Sequence, residues 1–252
     1  MSKKALRQQQ LLDIVKRKGF LSVKEFADLL FVSEMTIRRD LEELKIDEHK
    51  YNLFHAFQKE VQKKESIGKF AGTLLEEEEL IVIDIGSTTS QIIPHIPKNK
   101  KISVLCFSAN VLEGLKSYPN ITIYFCGGIY HPSTEICVST EGLEYLSKFR
   151  PNKYYMSAAG VDMEFGLTCA NSYELEYKCA AMRYSNEKIL LVDSSKFGKI
   201  SHSYIGSLNE IDTIITNSDV SNEWKEKLKE KGIKLFFADG KKKDKKVENL
   251  AY

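Results

Sequence analysis

From Leu80 onward, short apolar runs alternate with stretches of helical periodicity, and this alternation restricts the possible fold more than any other feature of the chain. The runs cover 80–85, 102–107, 121–126, 154–158, 189–192, 213–216 and 233–237. Strands this short, apolar on both faces and separated by helices, predict a mainly parallel sheet with helices on both sides. In such a sheet, ligands bind beyond the carboxyl ends of the strands.

The first part of the chain follows a different rule. Leu11, Ile14 and Val15 share one face of a first helix that Gly19 is expected to end. Ser22, with Glu25 three residues on, predicts a capping box opening a second helix, whose Val23, Phe26, Ala27 and Leu30 recur at helical spacing. Ser33 is expected to cap a third, with Ile37, Leu41 and Leu44 buried. Two short helices joined by so tight a turn have the form of a helix-turn-helix. On the third helix, Met35, Arg38, Arg39 and Glu42 lie opposite the apolar face, with Ser33 and Thr36 at its start. Guanidinium groups there could hold phosphate or pair with guanine. Lys3, Lys4 and Arg7 could add backbone contacts. A solvated basic face on a small bundle would give the same spacing. The polar stretch from 47 to 66 predicts a short wing and then a linker, and a further helix runs through Ile67, Phe70, Ala71, Leu74 and Leu75. The domain boundaries expected are therefore 1–58 for the reader, 59–66 for the linker, 67–240 for the α/β domain, and a lysine-rich, disordered tail at 241–252.

Four segments at strand ends carry candidate chemistry. Asp84-Ile85-Gly86-Ser87-Thr88-Thr89 presents backbone N–H groups and hydroxyls at the start of a helix, an arrangement suited to an anion and equally to an ordinary capped turn. Gly127-Gly128 allows a ligand, or simply a sharp turn, to approach the backbone. Ser157-Ala158-Ala159-Gly160-Val161-Asp162, followed by Gly166-Leu167-Thr168-Cys169-Ala170-Asn171, leads into a helix from Tyr173 bearing Glu174 and Lys178, which share a face either as an exposed ion pair or as ligands for sugar hydroxyls and phosphate. Asp193-Ser194-Ser195-Lys196 follows another strand, and Lys196 offers a cation.

The string Ser33-Glu34-Met35-Thr36-Ile37-Arg38-Arg39-Asp40-Leu41 closely resembles the recognition-helix signature of the DeoR family of bacterial regulators. The four strand-end segments resemble that family's effector domain, which is similar in fold to ribose-5-phosphate isomerase A. The resemblance extends from about Leu6 to Asp239. It implies DNA binding through Ser33, Met35, Thr36, Arg38 and Arg39. It also implies a phosphorylated-sugar effector held by Asp84, Gly86, Ser87, Thr88, Thr89, Gly127, Gly128, Asn171, Glu174, Lys178, Asp193 and Lys196. The runs Val104-Leu105-Cys106-Phe107-Ser108, Phe125-Cys126-Gly127-Gly128, Tyr155-Met156-Ser157-Ala158-Ala159-Gly160-Val161 and Ser195-Lys196-Phe197-Gly198-Lys199 match one branch of the family more closely. That branch implies deoxyribose 5-phosphate as effector, nucleoside-catabolism genes as targets and a homo-oligomer. Many members carry a Gly-Gly turn in the wing, whereas Asn52-Leu53-Phe54-His55-Ala56-Phe57 stands there without glycine.

Composition removes several other classes. With 42% hydrophobic and 29% charged residues the chain can bury a core, and its net charge of +2 places any nucleic-acid footprint on a local patch. The five scattered cysteines form no C-x-x-C pair, which argues against zinc and for a reducing compartment. The basic, polar Met1 to Gln10 segment has no apolar run behind it, and no stretch is long enough to span a bilayer, so a cytoplasmic protein without cofactor or metal is expected. The rival function is an active pentose-phosphate isomerase with Glu174 as base. Against it, Ser157-Ala158-Ala159-Gly160 stands where the isomerase has an acidic run.

Overall fold

A computed structural model describes residues 3–18, 23–44 and 53–240, with the backbone alone for 15–18 and 55. Three helices come first: α1 (Lys3–Lys18), α2 (Val23–Leu30) and α3 (Glu34–Glu43). Next come a one-turn helix, α4 (Leu53–Phe57), and a longer one, α5 (Val61–Gly72). The larger domain contains β1 (Leu80–Ile83), β2 (Ile102–Cys106), α6 (Ala109–Leu115), β3 (Ile121–Phe125), β4 (Ile129–His131), β5 (Ile136–Val138), α7 (Thr140–Ser147), β6 (Lys153–Met156), β7 (Gly160–Asp162) and β8 (Gly166–Cys169). It continues through α8 (Leu175–Tyr184), β9 (Glu187–Leu191), β10 (Ser203–Gly206), β11 (Thr213–Thr216), α9 (Asn222–Glu230) and β12 (Lys234–Phe237).

The main sheet has the order β12-β11-β9-β6-β1-β2-β3, and all neighbouring strands are parallel. The seven apolar runs of the sequence are these seven strands. Side-chain alternation sends Val82 into one core layer, with Tyr177, Ala181 and Leu228, and Ile81 and Ile83 into the other, with Ile67, Ala71, Val111 and Leu115. Two antiparallel additions were not legible: the hairpin β4-β5 and the small sheet β10-β8-β7. Their strands are three or four residues long and, apart from β5, carry glycine or polar residues that break up any apolar run.

The N-terminal helices pack around Leu11, Phe26, Ala27, Ile37 and Leu41, as the spacing predicts. Phe165, in the β7–β8 turn, and Ile200 join the same cluster, so this small core is completed by the larger domain. The Asp40 carboxylate is 1% exposed and ion-paired with Arg7. Gly19, Ser22 with its capping box, the wing over 45–52 and the tail at 241–252 lie outside the described residues, as does the His55 side chain.

Two boundaries need correction. The segment 53–57, expected in the wing, is helical; it buries Leu53 and docks on the larger domain through the Leu53 N–H, which donates to the Ser133 carbonyl at 2.8 Å. The expected linker 59–66 is mostly the first half of α5, which starts at Val61 and not at Ile67. Gln62, Lys63, Lys64 and Glu65 are good helix formers, and their polarity conceals that Lys64 is buried. Gly68 lets α5 lie against the helical turn Thr89–His95, since a Cβ there would come within 2.3 Å of the Gln91 backbone.

Candidate functional site

The chain passes from β1 to β2 and β3 on one side, then returns through β6 to β9, β11 and β12 on the other. The carboxyl ends of β1 and β6 therefore flank the topological switch point of the sheet, where a crevice opens. A cavity lies there, lined by Ile85, Gly86, Ser87 and Thr88 after β1 and by Ser157, Ala158 and Ala159 after β6. Cys169, Ala170, Glu174, Lys178, Lys196 and Ala56 complete its wall. Its volume is about 40 Å³.

Asp84 organises the floor. It is fully buried, and its Oδ2 accepts bonds from the Ser157 N–H (2.8 Å), the Ser157 hydroxyl (3.1 Å) and the Lys178 ammonium (2.5 Å). Its Oδ1 accepts from the Ile85 N–H at 2.9 Å. This network ties the ends of β1, β6 and α8 together. Burial pulls the Lys178 pKa down, but Asp84 and Glu174 outweigh it and leave it above the usual lysine value. Glu174 is 5% exposed; burial raises its pKa, against the opposing pull of Lys178 and of Asn171, whose amide donates to Oε1 at 2.6 Å. Gly86 adopts φ +152°, and a Cβ there would meet the Ser157 hydroxyl at 2.8 Å, so the loop requires glycine.

Of the twelve positions expected at the effector, Gly86, Ser87, Thr88, Glu174, Lys178 and Lys196 line the cavity. The others stand back from the wall. Asp84 lies beneath it, and Thr89 directs its hydroxyl to the Asp84 and Gly86 carbonyls at 2.8 and 3.1 Å. Asn171 holds Glu174. Asp193 caps the turn Ser194–Lys196, accepting from the Ser195 N–H at 3.0 Å. Gly127 and Gly128 turn β3 into β4, and a Cβ on Gly128 would strike the Val138 carbonyl at 2.4 Å. The double glycine therefore serves the hairpin and not the cavity.

The run Ser157-Ala158-Ala159, singled out in the sequence as part of a strand-end segment but given no role at the effector, lines the cavity, as do Cys169 and Ala170; sequence reasoning passed over Ala56, and Lys64 just behind the wall. The Lys64 ammonium donates to the Ala56 carbonyl at 2.5 Å, and burial brings its pKa down to about 8. A lone lysine on an otherwise polar segment carries no sequence signal for this. Among the described residues, no cluster of His, Cys, Asp and Glu could hold a metal ion, and no helix is long and apolar enough to cross a membrane.

On the reader, Ser33 caps α3: its hydroxyl accepts from the Thr36 N–H at 3.2 Å and lies 2.9 Å from the Thr36 hydroxyl. Met35, Arg38 and Arg39 are exposed, Met35 by 68%. Arg38 also reaches Glu34 at 3.4 Å. Lys4 and Arg7, expected to reach DNA from α1, instead pair with Glu43 and Asp40 on α3.

The DeoR C terminal sensor domain matches residues 59–218, and the DeoR-like helix-turn-helix domain matches residues 7–49. The chain belongs to the DeoR family. The deoxyribose operon repressor of Escherichia coli K12 is 34% identical over 243 residues, covering 90% of this chain and 96% of that one. The HTH-type transcriptional regulator IolR of Bacillus subtilis is 26% identical over 93% of this chain and 100% of its own length. Among solved structures, ribose 5-phosphate isomerase A from Methanocaldococcus jannaschii aligns with 53% of each chain at a TM-score of 0.39 and 17% identity. As a DeoR-family member with both domains in place, the chain is a DNA-binding transcriptional regulator with a sensor domain, not an enzyme.

Proposed function

We propose that this regulator represses deoxyribonucleoside or sugar catabolism genes and leaves its operator when a phosphorylated pentose, deoxyribose 5-phosphate, fills the sensor cavity. The cavity's position and lining carry this reading. The loop Gly86-Ser87-Thr88 and the cation Lys196 meet at the switch point of a parallel sheet, opposite the buried carboxylate of Glu174. The loop and Lys196 suit a phosphate, while Glu174 suits sugar hydroxyls. The 34% identity to a deoxyribose operon repressor supports the choice of sugar.

In this reading α3 is the DNA-reading helix. Met35 and Arg39 face the groove, Arg38 reaches base or phosphate, and Ser33 and Thr36 fix the helix start. The protein works in the cytoplasm as a homo-oligomer on double-stranded DNA. Ile129 (70% exposed) and Tyr130 (48% exposed), on the hairpin after edge strand β3, offer apolar surface for assembly.

Calorimetry on the full chain tests the effector. Deoxyribose 5-phosphate should bind at least tenfold more tightly than deoxyribose, because charge-assisted bonds to phosphate contribute about 1.5–3 kcal/mol each. Equal affinities would refute the phosphate assignment.

A further inference from the structure

The cavity is too tight for the ligand its lining suits. A cavity of about 40 Å³ holds a few waters, not a pentose phosphate. Part of the wall must therefore yield. Most of the wall is strand ends, α8 and the turns that the Asp84 network ties to them. Ala56 is the exception. It lies on the one-turn helix α4, which precedes the sensor sheet and follows the DNA reader by only nine residues, 44–52.

The bonds that hold α4 down include the Leu53 N–H to the Ser133 carbonyl at 2.8 Å and the Lys64 ammonium to the Ala56 carbonyl at 2.5 Å. Lys64 is 3% exposed, on α5, which packs against the helical turn that follows the Gly86-Ser87-Thr88 loop. Its charge feels both Lys196, on the cavity wall, and Asp193. Among the described residues, the hydrogen bond of this buried cation is to a neutral carbonyl, a weaker partner than an anion. Ala56 thus stands between the cavity and an ammonium group.

We propose that Lys64 is a second cation for the effector's phosphate, and that by drawing Lys64 away from Ala56 the phosphate releases α4, the element nearest in sequence to the DNA reader. The proposal rests on the phosphosugar reading above. It makes Lys64 both a ligand of the effector and the latch on α4. Lys63, its neighbour, bonds to Ser194 at 2.8 Å and Asp219 at 2.7 Å and pairs with Glu60 at 3.3 Å, and serves as a control for the loss of a lysine on α5.

Amide hydrogen exchange on the full chain, with calorimetry in parallel, tests this on wild type, Lys64→Met and Lys63→Met, each with and without deoxyribose 5-phosphate. In the wild type, ligand should speed exchange across α4, including the Leu53 amide. Lys64→Met should show that faster exchange before ligand is added, and should bind ligand roughly 10-fold more weakly. Lys63→Met should match the wild type. Unchanged or slowed α4 exchange in a wild-type site that calorimetry shows to be filled overturns the latch alone, as does Lys64→Met binding with wild-type affinity. If the wild type binds no phosphosugar, the effector reading fails and the phosphate role of Lys64 fails with it. The unliganded Lys64→Met sample decides the latch in that case, since α4 exchange equal to wild type would overturn it.

Discussion

At the scale of single residues, spacing named the right groups but not their partners. Glu174, at the end of the turn before α8, and Lys178, on α8, both line the cavity, yet Lys178 is bonded to Asp84, which lies far away in sequence. A contact between positions 84 and 178 has no local signature. Its consequence is a division between residues that hold the cavity together and residues that present a charge to a ligand. Lys178→Met should destabilise the protein by about 3–5 kcal/mol, because it leaves a buried carboxylate without its cation. Lys196→Ala, at a half-buried position on the wall, should lower the urea midpoint less than Lys178→Met does, while abolishing the response of operator binding to the phosphosugar. Equal stability losses in the two variants would contradict this division. Titration follows the same logic. Lys64 loses its proton near pH 8 because burial outweighs the help of Asp193 and Glu60, and Lys196 and Lys59 add to the depression. A sugar phosphate is already dianionic above neutral pH, with a second pKa of about 6. Raising pH from 7 to 9 should therefore remove the charge of Lys64 and not change the ligand. Phosphosugar affinity should fall roughly tenfold over that range in the wild type, and should stay flat in Lys64→Met.

At the scale of elements, the parallel sheet was legible because its inner strands, such as β1 and β11, are buried on both faces and read as apolar runs, and its edge strands β3 and β12 keep apolar residues though only half-buried. The helix-turn-helix was legible because Phe26, Ile37 and Leu41 recur at helical spacing. The hairpins β4-β5 and β7-β8 were not, and α4 was misread as part of a wing, because one turn with a single buried leucine leaves no period to detect. The pairing of α1 with α3 was equally hidden: Arg7 and Lys4 have the composition of phosphate contacts but anchor the reading helix. Two variants separate anchoring from reading. Arg39→Ala should weaken operator binding by about 1–3 kcal/mol and leave helical content and melting of the reader unchanged. Arg7→Ala should also weaken binding, but through loss of reader stability, since Asp40 is left buried without its partner. Circular dichroism beside a gel-shift titration distinguishes the two. An Arg7 variant that is fully folded yet deficient in binding would return Arg7 to the DNA contact surface.

At the scale of the whole molecule, the question is how a filled cavity reaches the reader. Effector and operator can influence one another only through states that each binds differently, and the factor by which one weakens the other must be the same in both directions. The structure offers a contact that can carry such a difference. Phe165 and Ile200 of the sensor domain close the core of the DNA-binding helices. Phe165 sits at the turn between β7 and β8, and β8 leads through Cys169 and Ala170 directly into the cavity wall. A shift of that wall is therefore passed along one short strand to the base of the reader. Phe165→Ala should leave phosphosugar affinity in the absence of DNA close to wild type, because Phe165 does not line the cavity. It should, however, loosen the reader from the sensor domain. Phosphosugar binding is then measured with and without saturating operator duplex, and operator binding with and without saturating phosphosugar. In the wild type the two ratios should agree, on the order of 5–150-fold for a typical coupling of 1–3 kcal/mol. In Phe165→Ala both should fall together towards one, with each ligand still bound on its own. A variant that keeps the full wild-type ratio would show that the coupling bypasses this contact and runs through α4 alone.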